Sequence, residues 1–200
     1  MGDTLTGHDP KVYFATGNKE KFIEAADVTA RFGITLKYLR TQKLEIQSNN
    51  LAEIASFAAI DSARSKKRPV ISEDAGFFVN ALSGFPGPYS SYVFKTVGIG
   101  GLLKLMEKRG DRKAFFQASV AFCTPTSRPK CFTGFVNGSV SRRPKGTHGF
   151  GFDPIFIPKE GDGRTFAQMT IDEKNTFSHR ALAFARFSKW FVDKRNRTMP

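Results

Sequence analysis

Hydrophobic and polar positions along this chain follow two rhythms, one of strands and one of helices. The run KVYFAT at 11–16 is rich in β-formers and ends in the turn signal Thr-Gly-Asn. KEKFIEAADVTARF at 19–32 then sets Phe22, Ala26, Thr29 and Phe32 along one side, with Gly33 as a stop, and predicts a helix. ITLKYL at 34–39 is the next strand. Asn50 and Glu53 form a capping-box-like start for a helix running to about Ala63. PVISED at 69–74 reads as a short buried strand with two acids at its end. FFVNAL at 77–82 follows it, and then the Gly/Pro-rich loop SGFPGPYSS at 83–91. A short helix is expected over 101–110, and two strands over 114–123 and 130–141, joined by TPTSRP. After the glycine-rich stretch THGFGFDP at 147–154, the closing helix over 178–195 carries Phe184, Phe187 and Phe191 on a shared face. Early alternation of strands and helices with a central hairpin predicts an α/β fold with a mixed sheet. Sites in such folds gather in loops at strand ends.

Composition narrows the class. A chain of 200 residues, 40% hydrophobic and with 21 Phe, is long enough for a substantial core and reads as a single domain over 1–200. No apolar run is long enough to span a bilayer. The start MGDTLTGHDPK has neither a signal-peptide nor a transit-peptide pattern, so a cytoplasmic location is expected. Cys123 and Cys131 are read as two buried thiols in a reducing compartment, with a pairing across the hairpin as the alternative. No Cys/His spacing of the metal-binding kind occurs. The net charge of +13 is uneven: residues 1–100 carry +2 and residues 101–200 carry +11. Such a field attracts polyanions, whether nucleic acid, anionic membrane or nucleotide phosphates.

Four stretches carry chemistry. TGNKEK at 16–21 joins a strand to a helix through Gly17, and the free N–H groups and dipole of that helix favour an anion. Thr16 and Asn18 add neutral hydrogen bonds and Lys21 adds charge, although the spacing of a Walker loop is absent. The same residues also read as a helix capped by Asn after a glycine turn. Glu73 and Asp74, with Glu45, offer the oxygen ligands that suit Mg²⁺, which binds one or two carboxylates plus substrate phosphates. In a strand, neighbours point to opposite faces, so only one of Glu73 and Asp74 enters a cleft, and Glu73 is expected in an exposed, solvated turn. KNTFSHR at 174–180 collects Lys174, His179 and Arg180 near a helix start, where cations oppose the dipole and suggest an anionic or carbonyl-bearing partner. In THGFGFDP, Phe150 and Phe152 suit stacking on a flat ligand and Asp153 suits accepting its N–H groups; core aromatics between turn glycines are the alternative.

Taken together, these stretches resemble the inosine triphosphate pyrophosphatase family. TGNKEKFIE is similar to its opening motif, SEDAGFFVNALSGFPGPYS to its acidic strand and loop, GFGFDPIFIP to its glycine-aromatic segment, and TFAQMTIDEKNTFSHRALAF to its closing segment. The matches fall in the family's order over about residues 12–192. The resemblance implies an α/β fold with a mixed twisted sheet, flanking helices and two lobes around a central cleft, usually in a homodimer. It implies Mg²⁺-dependent cleavage of ITP, dITP and XTP to the monophosphate and pyrophosphate. By the same resemblance, the triphosphate is held by the segment Thr16, Gly17, Asn18, Lys19, Glu20 and Lys21. Glu45 and Asp74 hold the metal, with Asp74, Glu45 and Lys21 as the catalytic set. Phe150, Gly151, Phe152, Asp153, Lys174, Ser178, His179 and Arg180 form the base end, with Phe150 as the stacking ring and Phe152 packed behind it. No membrane or nucleic-acid partner is expected. The alternatives are a pyrophosphatase for pyrimidine or other modified nucleotides and a basic nucleic-acid-binding module, although no such module's signature is present.

Three positions depart from the family pattern. Ala75 stands where many members have Ser or Thr, so only its backbone serves a substrate there. Tyr92 in YSSY replaces an Arg, and Ala58 falls near a family Lys, so more of the phosphate charge rests on Lys21, the metal and another basic residue.

Overall fold

A computed structural model describes residues 11–41, 44 and 46–198. β1 (Val12–Thr16) runs into α1 (Lys19–Ala30), then β2 (Leu36–Arg40), α2 (Leu51–Lys66), β3 (Val70–Val79) and the two-residue β4 (Pro86–Gly87). α3 (Ser90–Thr96) and α4 (Gly98–Leu105) precede the long hairpin of β5 (Lys113–Cys123) and β6 (Lys130–Val140). β7 (Phe156–Pro158), α5 (Ile171–Lys174) and α6 (His179–Thr198) complete the order.

The strands form one mixed sheet in the order β2-β1-β3-β5-β6-β7, with β4 paired to β3. β1 lies parallel to both β2 and β3, and β3, β5, β6 and β7 are antiparallel to their neighbours in turn. Helices flank this sheet, as the α/β reading expected. One face of β1 and β3 packs against α1 and α6, around Phe14, Ile71, Phe184, Phe187 and Phe191. The other packs against α2 around Ala15, Ala55, Ala59 and Val70. A second large aromatic cluster, including Phe77, Phe116, Phe152 and Phe156, fills the far end of the sheet. The expected stripe of Phe184, Phe187 and Phe191 on the last helix is therefore its buried face.

Several local expectations are corrected. Residues 69–74 and 77–82 were read as separate pieces, yet β3 is one ten-residue strand. Ala75 and Gly76 continue its ladder opposite Ala118 and Gln117, so the small residues do not interrupt it. The Gly/Pro-rich loop at 83–91 ends in a helix, because Ser90 ties the turn together. Its hydroxyl donates to Gly87 O at 2.6 Å and accepts from Phe77 N at 2.7 Å. The helix expected at 101–110 lies earlier, over α4. The buried face of α1 is also rotated. Glu24, Ala25, Val28 and Thr29 are buried, while Phe32 is 38% exposed. The helix turns Glu24 inward because buried cations await it there, and Phe22 instead packs on Tyr38 at the sheet edge. At the start of α2, Asn50 caps Ala52 N at 2.9 Å, but Glu53 accepts from Ser48 Oγ, so the reciprocal half of the box is not made. Both cysteines are free; Cys123 is buried, whereas Cys131 is exposed on β6, beside Ser56. No helix among the described residues is long and apolar enough to cross a membrane.

Helix and sheet approach each other closely at Gly134 of β6. A Cβ there would lie 2.6 Å from Ala183 N and nearer still to His179 O, both in the first turns of α6. Arg186 fastens the same crossing by donating to Thr133 O. We expect Gly134→Ala to cost about 1–3 kcal/mol through overpacking, read from the shift of the urea unfolding midpoint. An unchanged midpoint would show that helix and strand have room to separate.

Candidate active site

A cleft of about 1070 Å³ opens where β1, β3 and α6 point their functional ends at one another. Its floor and walls come from both large apolar clusters: Ala75 packs on the one, and Phe116 and Phe152 belong to the other. The segment Thr16, Gly17, Asn18, Lys19, Glu20 and Lys21 lines it without a gap. This is the C-terminal end of β1 and the first turn of α1. Asn18 caps that helix, its Oδ1 accepting from Glu20 N at 2.8 Å and Lys21 N at 3.0 Å. Thr16 Oγ1 accepts from Asn18 N at 3.1 Å. The capped-helix reading and the anion-site reading therefore describe the same turn. What it offers an anion is the positive end of α1 with two lysines beside it.

Strand alternation separates the two acids of β3. Asp74 lines the cleft, half-buried. Glu73 does not sit in an exposed turn; its 0% exposure corrects that expectation. It is enclosed because the face of β3 that carries Ile71 and Ala75 is covered by α1 and α6. Glu45 lies outside the described residues. Among those described, no group of three or more His, Cys, Asp or Glu side chains is placed to hold a metal.

The cations at the start of α6 find their counter-charges inside the protein. Arg180, 2% exposed, bonds Glu24 through Nη1 at 2.6 Å and Glu73 through Nε at 3.1 Å. Lys174, 3% exposed, bonds Glu24 at 2.8 Å and Asp153 at 2.7 Å. Lys21 closes the chain against Glu73 Oε2 at 2.8 Å. Three buried carboxylates thus face Lys174 and Arg180, with Lys21 at the rim. The oddity of cations near a helix N-terminus is resolved by these acids, and an external anion is not needed to explain it. Glu24 is the hub, and the motif TGNKEKFIE contains it without revealing its partners.

The electrostatics follow from this enclosure. Burial alone would raise the pKa of Glu24, but Arg180 and Lys174 outweigh it and hold the carboxyl below its ordinary range. Burial raises that of Asp153, against the pull of Lys174. Burial would lower that of Lys174, yet Asp153 and Glu24 raise it, so the ammonium persists. For Arg180, too, Glu73 and Glu24 overcome burial and raise the pKa. His179 is the opposite case: burial, followed by the charges of Arg180 and Lys174, holds its pKa well below the ordinary 6.5. The neutral ring stacks on Phe116 with centroids 4.7 Å apart and planes 11° apart. Its Nδ1 is buried with no hydrogen-bond partner among the described residues.

The glycine-rich loop completes the far end. Gly149 has φ +70°, and a Cβ there would collide with the Asp153 carboxylate, so the loop needs glycine for its turn and for its contact. Asp153 accepts from Phe150 N at 2.9 Å, which sets the Phe150 backbone. Phe150 lines the cleft and is shared with an adjoining pocket of about 310 Å³ that also takes in Glu24, His148 and Lys174. Phe152 is a core ring, 2% exposed and stacked on Phe77 at 5.3 Å, so it packs behind the site. Gly151, Asp153, His179, Arg180 and Ala75 line the cleft; Ser178 does not, because its hydroxyl accepts from Ala181 N and caps α6. Lys174 borders only the smaller pocket. Sequence reasoning also misses Ser90, Phe94 and Lys95 in the cleft wall, since it ends the Gly/Pro-rich loop at residue 91 and assigns no element to 92–100.

Known proteins share this fold. A profile of the Ham1 family matches residues 12–190. The chain belongs to the Ham1 family. A dITP/XTP pyrophosphatase of Methanopyrus kandleri is 49% identical over 181 residues, which cover 90% of this chain and 96% of the relative. One of Saccharolobus solfataricus is 47% identical, covering 90% of this chain and 93% of that protein. Among solved structures, a HAM1 protein from Coxiella burnetii superposes with a TM-score of 0.80 at 26% identity, over 92% of this chain and 98% of that one. The Staphylococcus aureus Ham1 protein gives 0.78 at 25% identity, over 92% and 99%. The family resemblance and the fold read from the motifs are borne out.

The buried, neutral His179 of this Ham1 family member has a consequence for stability against pH. Unfolded, its imidazole gains a proton near 6.5, whereas folded it does so only at much lower pH. Below about 6.5 the unfolded state therefore binds the extra proton, and stability falls by up to about 1.4 kcal/mol per pH unit. We expect wild type to lose more stability between pH 7 and pH 5.5 than His179→Asn, measured by urea unfolding at each pH. Parallel losses in the two proteins would contradict a neutral His179.

Proposed function

We propose that this chain is a nucleoside triphosphate pyrophosphatase. It hydrolyses non-standard purine nucleoside triphosphates (ITP, dITP and XTP) to the monophosphate and pyrophosphate, and so cleans the nucleotide pool. The observation that carries this reading is one cleft lined together by a cationic, helix-capped turn, by Asp74 and by the aromatic and polar side chains of Phe150, His179 and Arg180. Relatives 42–49% identical to it are dITP/XTP pyrophosphatases, which supports this reading.

In this reading, the triphosphate lies along the turn Thr16–Lys21, its charge met by Lys19, Lys21 and the positive end of α1. Lys95, in the cleft wall on α3, supplies the additional cation that Ala58 and Tyr92 do not. Ala58 lies on the buried face of α2, and Tyr92 is 69% exposed. Asp74 accepts the proton of the water that attacks the α-phosphorus, and it does so from a rigid strand. The donor set fits Mg²⁺. Asp74 offers one hard carboxylate, Glu45 is the expected second, and the substrate phosphates supply the other oxygens, an arrangement typical of this ion. Bound there, Mg²⁺ would neutralise phosphate oxygens and acidify water.

At the other end, Phe150 stacks on the purine. Arg180 and the neutral His179 present edge groups whose positions are fixed before the substrate arrives, Arg180 by two carboxylates and His179 by Phe116. A donor held in this way suits the C6 carbonyl of hypoxanthine and xanthine and faces another donor in adenine. Mismatches of this kind reach roughly 10⁴-fold. Asp153 and Lys174 serve by holding the Phe150 loop. The expected homodimer and a cytoplasmic setting belong to this proposal, since the substrate pool is soluble.

The test is purified protein with Mg²⁺ and a panel of nucleoside triphosphates, with the products separated. Inosine monophosphate plus pyrophosphate from ITP, with little turnover of ATP, is expected; diphosphate plus phosphate would point to another reaction. Asp74→Asn should keep the fold while lowering kcat by about 10²–10⁴-fold, and wild-type rates in that variant would remove Asp74 from catalysis.

A further inference from the structure

Glu73 enters the mechanism above only as one of the two carboxylates that hold Arg180, yet it also touches Lys21 at the phosphate end. Its Oε2 lies 2.8 Å from Lys21 Nζ, and its Oε1 lies 3.0 Å from Arg180 Nη2 and 3.1 Å from Nε. It is fully enclosed, while the Lys21 side chain retains 18% exposure and lines the cleft. The two cations are not equally held by other groups. Arg180 has Glu24 as a second partner, with Nη1 at 2.6 Å from its carboxylate. For Lys21, Glu73 is the carboxylate in contact.

This asymmetry gives Glu73 two different effects. Toward Lys21, it is a competitor of the substrate. A phosphate arriving at the Thr16–Lys21 turn meets a lysine whose charge is already balanced by a buried anion, and it also approaches that anion. Charges a few ångströms apart in a protein interior interact strongly, because the effective dielectric is far below that of water. Toward Arg180, Glu73 is a brace. With Glu24 on Nη1 and Glu73 on Nε and Nη2, the guanidinium plane is fixed by two carboxylates.

We propose that Glu73 is a positioning residue with opposed roles at the two ends of the site: it weakens the grip of Lys21 on phosphate and sharpens base reading by bracing Arg180. The first role keeps the product pyrophosphate from being retained. The second gives the discrimination between oxo- and amino-purines its rigid donor. The inference rests on the nucleotide-pyrophosphatase reading above.

The experiment separates the two ends with half-ligands. Tripolyphosphate probes the phosphate end, and the ratio of kcat/KM for ITP over ATP probes the base end. In Glu73→Gln, tripolyphosphate affinity by calorimetry should tighten about ten-fold, inhibition by pyrophosphate should strengthen with it, and the ITP-over-ATP ratio should fall at least ten-fold. General damage to the fold would weaken both functions together, so the opposite movement is the signature. Glu73→Asp keeps the buried charge, and with it the fold, but withdraws the carboxylate by one carbon; it should move both readouts the same way by a smaller step. In Lys21→Gln, the further change Glu73→Gln should no longer tighten tripolyphosphate. Unchanged or weakened tripolyphosphate binding in both Glu73 variants overturns the proposal, as does an unchanged base ratio. A wild type that turns over ITP while the Glu73 variants match it in both readouts defeats this inference alone. A wild type that neither binds tripolyphosphate nor cleaves ITP defeats the pyrophosphatase reading and this inference with it.

Discussion

The site depends on a buried chain of charges. Lys21, Glu73, Arg180, Glu24, Lys174 and Asp153 alternate in sign from the first turn of α1 to the glycine-rich loop, with neighbours 2.6–3.1 Å apart. Burying any one of these groups alone would be strongly unfavourable, and removing one partner of such a set typically costs about 3–5 kcal/mol. The constraint is therefore collective. Each element that contributes a member (α1, β3, the loop before β7, α5 and α6) must stand where its charge is matched. The apolar clusters on either side exclude water and so make that matching strict.

This explains why structural and functional residues are hard to separate here. Asp153 and Lys174 lie in the segments most similar to the pyrophosphatase family, yet each is engaged by the protein itself. Their contribution is to set the Phe150 backbone and the charge around Arg180. His179 is held neutral by the same environment that holds its neighbours charged, because burial disfavours its cation and the charges of Arg180 and Lys174 add to that. One enclosure thus produces two protonation outcomes at adjacent positions of one helix.

How much of this was legible in the sequence depended on distance along the chain. The hairpin of β5 and β6 and the aromatic face of α6 are periodic, local features, and they were readable as such. The turn Thr16–Lys21 was readable because six consecutive residues build it. Glu24 was not, because its partners lie about 150 residues away and nothing in KFIE announces them. Glu73 was misread for a related reason. A charged residue beside another acid ordinarily belongs in water, and only α1 and α6 folding over that face of β3 make it a core residue. The start of α3 was hidden because its first turn follows glycine and proline, and a single hydroxyl, that of Ser90, supplies the local stop and start.

α6 is fastened along one face of the sheet. Its Phe184, Phe187 and Phe191 are buried, Arg186 ties it to β6, and Gly134 lets it come within contact of the strand. His179 and Arg180 stand at its head, so these two cleft residues are carried by a helix packed along the sheet. Another stretch of the wall is the short helix α3, which brings Phe94 and Lys95 to the cleft. The cleft thus joins two kinds of wall, one carried by a 20-residue helix braced along the sheet and one by a helix of 7 residues.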